Sequence, residues 1–248
     1  MLENLRTIGG VLRSLRIYYG RRKHAAGLDR LYSRFVAPGD LVFDVGAHVG
    51  DRIGSFRRLG ARVVAVEPQP ALARTLNVLY GRNEDVVIEA AAVGQAPGAT
   101  DMLINVSNPT VSTLSTDFVR AAQGAPGWQE QRWSRKVRVP VTTLDRLIGK
   151  HGMPSFIKLD VEGFEAEALA GLTRAPQALS FEFTTIQREV ARVCIARCGE
   201  LGCTRFNAAL GESQMFVHAD WLDAQALLAW LDALPDSANS GDIYASLG

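Results

Sequence analysis

Residues 41–51 read Leu-Val-Phe-Asp-Val-Gly-Ala-His-Val-Gly-Asp. Residues suited to a buried strand run straight into a turn holding Gly46 and Gly50, and the turn opens onto a helical pattern from Val49 to Leu59. A glycine turn between strand and helix starts a strand–helix–strand unit, and the apolar run Arg62 to Val66 completes it. The alternation continues with a helix at Pro70 to Tyr80, a third strand at Val86 to Glu89 and a fourth at Phe156 to Leu159. A helix at Phe164 to Leu172, a fifth strand at Gln177 to Phe183 and a helix at Ile186 to Leu201 follow. Strands and helices alternating at this spacing predict an α/β fold, a parallel sheet covered on both faces. Further on, Met215 to His218 and Asp242 to Ser246 read as short strands, with Asp220 capping a helix that stops before Pro235.

Two segments stand outside this alternation. In residues 1–36, Leu2, Leu5, Ile8, Leu12, Leu15 and Tyr19 recur at three- and four-residue steps, which predicts a helical extension with one apolar face. That extension is basic: Arg6, Arg13, Arg16, Arg21, Arg22, Lys23, Arg30 and Arg34 face only Glu3 and Asp29. It reads as a helix packed on the domain with a solvated basic face, or as a cap over an acidic substrate or a membrane-surface helix. The main domain is expected over 37–248, with residues 100–140 as a substrate or lid insertion between strands at Met102 to Val106 and Lys136 to Val141. Within it, Trp128, Arg132, Trp133, Arg135, Lys136 and Arg138 mix aromatics with cations, as in a solvated loop or a surface that stacks on rings and holds anions.

Charge and cysteine usage narrow the function classes. Lys and Arg number 27 against 26 Asp and Glu, without the basic excess of a dedicated nucleic-acid binder. No apolar run of about 18 residues occurs and no export signal is evident near Ile8 to Leu12, so no integral membrane segment is expected. Cys194, Cys198 and Cys203 are an odd, crowded set without a second metal-binding pair; they read as buried thiols in a reducing, cytoplasmic setting.

The chemistry concentrates at strand ends. The turn is not G-x-G-x-x-G, because His48 stands two residues after Gly46, which disfavours a nicotinamide-dependent oxidoreductase. Asp44 suits a ligand carrying an ammonium or sulfonium group, and Glu67, about twenty residues past the turn, suits the two hydroxyls of a ribose. Strand-end acids followed by Pro68 also serve as turn and cap residues.

Asp-Val-Gly-Ala-His-Val-Gly (44–50), Val-Glu-Pro-Gln-Pro (66–70) and Phe-Ile-Lys-Leu-Asp-Val-Glu-Gly-Phe-Glu (156–165) together resemble the FkbM family of S-adenosylmethionine-dependent methyltransferases. The resemblance covers roughly Pro38 to Phe183 and extends more loosely to Gly241–Ser246. It implies a class I, Rossmann-like methyltransferase sheet of seven strands with S-adenosylmethionine over the ends of the first three. By position, Asp44, Gly46, Ala47, His48 and Gly50 would hold the methionine part, Glu67 with Pro68 the ribose, and Ala91, Ala92 and Val93 the adenine. Ser112 would stand at the cofactor's edge. The chain departs from the family in carrying His48 where Asn is common, and Phe183-Thr184 where a His follows the fifth-strand Glu. The implied activity is O-methylation of a hydroxyl on a sugar, polyketide or related small metabolite. A non-catalytic cofactor- or partner-binding domain is the competing class.

Lys158, Asp160, Glu162 and Glu182 are the expected catalytic constellation on independent grounds. Lys158 and Asp160 alternate onto one face of the fourth strand, and Glu182 lies in the apolar strand expected beside it. Charges buried there must pair, bind a ligand or change protonation state; a Lys158–Glu182 ion pair is the structural alternative. An alcohol acceptor needs a carboxylate or His base, for which Asp160 and Glu182 are the candidates, or a metal. No metal is required by the spacing, though Asp160, Glu162 and Glu182 could hold Mg²⁺ through oxygen ligands. Asn108-Pro109 is followed by Thr110-Val111 rather than by the Pro and aromatic residue of nucleic-acid amino-methyltransferases, so a small-molecule acceptor is expected. Trp221, Leu222, Leu227, Leu228 and Leu231 fit an apolar face that is either core or a homo-oligomer contact.

Overall fold

The computed structural model describes residues 2–19 and 22–248. In chain order, α1 (Leu2–Tyr19) and α2 (Arg22–Tyr32) precede β1 (Leu41–Val45), α3 (Asp51–Arg58), β2 (Arg62–Val66), α4 (Pro70–Tyr80) and β3 (Val86–Glu89). Then come β4 (Ala92–Val93), β5 (Gly98–Ile104), α5 (Thr116–Ala122) and β6 (Arg135–Thr142). The rest is α6 (Leu144–His151), β7 (Phe156–Leu159), α7 (Glu165–Ala170), β8 (Ala178–Thr184), α8 (Arg188–Glu200), β9 (Arg205–Leu210), α9 (Ala224–Ala233) and β10 (Ser240–Ser246).

β1 is buried along its whole length, as its run of apolar residues requires of a central parallel strand. It lies inside a seven-stranded sheet of order β3-β2-β1-β7-β8-β10-β9. The first five pair in parallel, and β10 runs antiparallel between β8 and β9. Side chains alternate across the pleat. Phe43 and Val45 join the core made with α6, α7, α8 and α9, while Val42 joins Leu28, Leu31 and Tyr32 of α2 and Ile53 and Phe56 of α3 on the other face. Because the chain leaves β1 toward β2 on one side and later returns as β7 on the other, the carboxyl ends of β1 and β7 open a crevice.

On the α2–α3 face the register aligns one transverse row: Asp44 on β1, Lys158 on β7, Ser180 on β8, Tyr244 on β10 and Asn207 on β9. Every member is at most 1% exposed. A polar row thus crosses the buried middle of the sheet.

Residues 100–140 contribute to a second, three-stranded sheet of order β4-β6-β5. Of the mixed aromatics and cations, the aromatics cluster: Trp128 and Trp133 stand edge-on to Phe118 at 5.3 and 6.2 Å between ring centres, and Trp133 Nε1 donates to the Val111 carbonyl at 2.7 Å. Their rings pack inward, while Arg135 and Arg138 stay at the surface.

Four local expectations change. β9 carries the strand role expected of Met215 to His218, which forms no strand, although the Val217 N–H donates to the Ala208 carbonyl at 2.7 Å. Asp223, not Asp220, caps α9, its side chain accepting from the Ala226 N–H at 2.7 Å. The apolar face read for α1 is displaced: Val11 and Ser14 are buried, but Leu12 is 60% and Tyr19 47% exposed. Gly10 and Tyr18 meet Pro109 and His48, and those neighbours choose the buried face; the side chains of Leu2, Leu5, Ile8, Arg6, Arg21 and Arg22 lie outside the described residues. Lys158 pairs with Asp160 and Asp242 rather than with Glu182. Leu227 and Leu231 of α9 are fully buried against α8 and the sheet, and Cys194, Cys198 and Cys203 are buried free thiols. No helix among the described residues is long and apolar enough to cross a membrane.

Candidate active site

The turn after β1 is built around Gly46, whose φ of 83° places it in the left-handed region. A Cβ at this position would collide with the Asp160 carbonyl oxygen, so glycine lets the ends of β1 and β7 close together. The Gly46 and Ala47 N–H groups donate to the Val66 carbonyl at 2.9 and 3.1 Å, which ties the turn to the end of β2. His48 itself sits at φ 49°. Its N–H donates to Glu67 Oε2 at 2.9 Å, while the Gln69 N–H donates to Oε1 at 2.8 Å. Glu67 is thereby fixed at the mouth of the crevice. Burial pushes its carboxyl up to about 8, against the lowering effect of those two N–H groups.

One cavity occupies the crevice. Its wall includes Gly46, His48, Glu67, Pro68, Ala91, Ala92, Val93 and Ser112 from the expected cofactor set, and Asp160, Glu162 and Glu182 from the expected catalytic set. The Ser112 hydroxyl accepts from the Asn105 N–H at 3.1 Å, a bond internal to residues 100–140. Asp44, Ala47, Gly50 and Lys158 stand behind the wall. Gly50 packs against Tyr80 and Leu76. Asp44 points with Val42 into the α2–α3 face because strand parity sends it there; both its oxygens are buried without a hydrogen-bond partner, and burial pushes its carboxyl up to about 7. The His48 ring is pushed down to about 4 by burial, so it is neutral at pH 7 and not poised to carry a proton there.

Lys158 is fully buried and lies beneath the acidic end of the cavity. Its Nζ donates to Asp242 Oδ1 at 2.8 Å, to Asp160 Oδ2 at 3.3 Å and to the Leu159 carbonyl at 3.1 Å. Burial disfavours the ammonium, but the two carboxylates outweigh it and hold the proton on. Asp160 also faces Arg52 Nη2 at 3.3 Å. Burial alone would raise Asp160; Lys158 and Arg52 together bring it down to about 2. Glu162 and Glu182 are pushed well above the carboxylate range, first by burial and then by the ionised Asp160. The site therefore sorts its acids into one that stays charged and two that hold protons until a ligand changes their surroundings.

Four ionisable wall residues lie outside the set expected from the sequence: Tyr18, Arg52, Glu212 and Asp242. Arg52 was signalled by its place in the first turn of the helix after the glycine turn, and Asp242 by being an acid inside an apolar strand. Tyr18 and Glu212 reach the cavity through tertiary packing alone. Arg52 continues outward through Asp51, at 3.7 Å, to His24 Nε2 at 3.3 Å from Asp51 Oδ2, and Gln214 Nε2 donates to His24 Nδ1 at 2.6 Å.

A seven-stranded sheet reversing direction at β1, with a buried acid at the end of β2 and β10 antiparallel between β8 and β9, defines a class I, Rossmann-like methyltransferase. Residues 44–232 match the family model described as the methyltransferase FkbM domain. The chain belongs to that family, and is an S-adenosylmethionine-dependent methyltransferase. Among solved structures it is similar to a TehB-like S-adenosylmethionine-dependent methyltransferase from Corynebacterium glutamicum, at 11% identity and TM-score 0.45 over 89% of this chain and 86% of that one. It is also similar to the magnesium protoporphyrin IX methyltransferase of Synechocystis with bound S-adenosylmethionine, at 11% identity and TM-score 0.45 over 96% and 84%. A third is a precorrin-6Y C5,15-methyltransferase from Geobacter metallireducens, at 10% identity and TM-score 0.42 over 91% and 87%. A search of curated protein sequences returns no match.

Proposed function

We propose that this methyltransferase transfers a methyl group to a hydroxyl of a small metabolite such as a sugar or polyketide, with Asp160 and Glu182 handling the acceptor. The observation that carries this reading is the pairing of an ionised Asp160 with a proton-holding Glu182 on one cavity wall, above a buried Lys158. Two acids of unlike proton affinity suit an acceptor that must be held and then deprotonated.

The cofactor seat fits its ligand on two counts. Carboxyl groups outnumber the one Arg on the wall among the described residues and Asp160 stays ionised, which suits a sulfonium cation, and Glu67 is oriented by two backbone N–H groups while keeping further lone pairs for ribose hydroxyls. When bound, S-adenosylmethionine supplies an electrophilic methyl group. Gly46 and His48 would line its methionine end, Glu67 and Pro68 the ribose, Ala91, Ala92 and Val93 the adenine, and Ser112 the outer edge; Asp44, Ala47 and Gly50 would support that wall from behind. Asp160 would accept a hydrogen bond from the acceptor hydroxyl and align it. Glu182, once ionised, is the stronger base of the two because its proton affinity is higher. Lys158 keeps Asp160 charged, and Glu162 adds to the field around a cationic ligand once that ligand has displaced its proton. The carboxylate-rich cleft disfavours a nucleic-acid acceptor, and the buried free thiols fit a reducing, cytoplasmic setting.

Calorimetry with S-adenosylhomocysteine, with NAD⁺ as the control, tests the seat. Binding of the first alone, weakened by about 1–3 kcal/mol in Glu67→Ala, is expected; preference for NAD⁺ would overturn the assignment. For the acceptor, Asp160→Asn and Glu182→Gln should lower methylation of a hydroxyl panel by about 10²–10⁴-fold while S-adenosylhomocysteine still binds. Undiminished turnover in both would remove them from the chemistry.

A further inference from the structure

Six carboxylates line the cavity, those of Glu67, Asp160, Glu162, Glu182, Glu212 and Asp242, against Arg52 as the only Lys or Arg on its wall among the described residues. One oxygen each from Asp160, Glu162 and Glu182 lies within 4.8 Å of the other two. The available cations do not serve this trio evenly: Lys158 and Arg52 both reach Asp160, and among the described residues neither pairs with Glu162 or Glu182. Glu162 is only 7% exposed and lines the cavity, and among the described residues no donor reaches its carboxylate. Glu182 Oε2 is buried and likewise without a partner. Both side chains line the same cavity, so Glu162 and the free oxygen of Glu182 converge beside Asp160, to which Glu182 is also hydrogen-bonded. The Glu162 backbone is pinned from the insertion, Thr113 Oγ1 donating to its carbonyl at 2.6 Å.

We propose that Asp160, Glu162 and Glu182 form a binding site for a hard divalent cation of the Mg²⁺ or Mn²⁺ type. Three carboxylate oxygens and no nitrogen or sulfur ligand suit that class of ion. Oxygens bound to one ion with bonds of about 2.0–2.4 Å lie no more than about 4–4.8 Å apart, a limit the trio, all within 4.8 Å of one another, already meets. Remaining coordination positions open to the cavity, where water or an acceptor hydroxyl would fill them. The site stands on its own geometry; its use in acidifying that hydroxyl rests on the proposed hydroxyl methylation. A competing occupant is the ammonium group of a cationic acceptor.

Titration of Mn²⁺ into the full chain, followed by electron paramagnetic resonance with and without S-adenosylhomocysteine, reads the site directly. One Mn²⁺ per chain, displaced by Mg²⁺, is expected, with affinity about tenfold or more weaker in Glu162→Gln and in Glu182→Gln. Calorimetry of S-adenosylhomocysteine on the same variants monitors the fold and the cofactor seat, so failure of that seat is distinguished from failure of the cation site. No Mn²⁺ bound at millimolar concentration, or binding undiminished in both variants, would overturn the proposal. Glutamine keeps the shape and hydrogen-bonding capacity of each side chain, and unaltered circular dichroism would show that any loss of binding is not unfolding.

Discussion

Gly46 illustrates how tightly single positions are constrained at this site. Its φ of 83° alone costs an L-residue about 1–2 kcal/mol, and a methyl group would also strike the Asp160 carbonyl. Gly46→Ala should therefore destabilise by more than about 2 kcal/mol in urea unfolding and abolish S-adenosylhomocysteine binding; retention of both would mean the turn is slack. Lys158 is constrained by charge instead. Replacing it by Met leaves Asp160 and Asp242 without their common cation, a loss of about 3–5 kcal/mol for a broken buried pair, measurable in the same unfolding experiment. Residues of this kind were legible in the sequence where type and strand parity coincide, as for Glu67, Asp160 and Glu182. They were not legible where a partner comes from remote sequence: nothing near Lys158 reveals that Asp242, 84 residues later, shares its proton.

α2 shows what an element adds beyond its own pattern. Leu28, Leu31 and Tyr32 are 1–4% exposed and join the core beneath α3, with the Tyr32 ring 4.6 Å from Phe56 between centres. Asp29 receives hydrogen bonds from Ser55 at 2.6 Å and from Arg58 Nε and Nη2 at 2.8 Å. Tyr32→Ala should cost about 3–5 kcal/mol, and a chain lacking residues 1–36 should lose cooperative thermal unfolding altogether. A truncated chain that melts like the full one would show the helices to be an appendage. Element bounds were read correctly where apolar runs are short and bounded: β1, β2, α4, β3 and β7 fall at the residues their patterns name. β4 has only two residues, and β9 reads Arg-Phe-Asn-Ala-Ala-Leu, without the branched residues that mark a strand. α5 and α6 are announced in the sequence only by their caps, Ser115 and Thr143, which accept from the Phe118 and Arg146 N–H groups.

For the whole molecule, the accumulation of buried acids sets the pH response. Burial raises Asp44 and Glu165 to about 7 and Glu67 to about 8, whereas the unfolded chain titrates them near 4. The native state thus binds more protons across that interval, and the stability these groups contribute is complete below about pH 4 and lost as pH rises through about 7 to 8. Asp160 acts in the opposite sense: lowered to about 2, it stabilises above about pH 4 and loses that contribution only as pH falls through about 2. The ligand-free protein should melt at a lower temperature near pH 8.5 than near pH 5.5, with a shallower decline in Glu67→Gln; a flat or rising profile would contradict these protonation states. The placing of β10 between β8 and β9 bears on something else, the timing of assembly during synthesis. Both neighbours leave the ribosome before it does, so β9 has no edge to join until β10 arrives, and the sheet closes from the far end of the chain inward. A nascent chain can shape the glycine turn and seat Glu67 early, while Lys158 waits for Asp242. The enzyme is thereby kept chemically incomplete until β10 has been made.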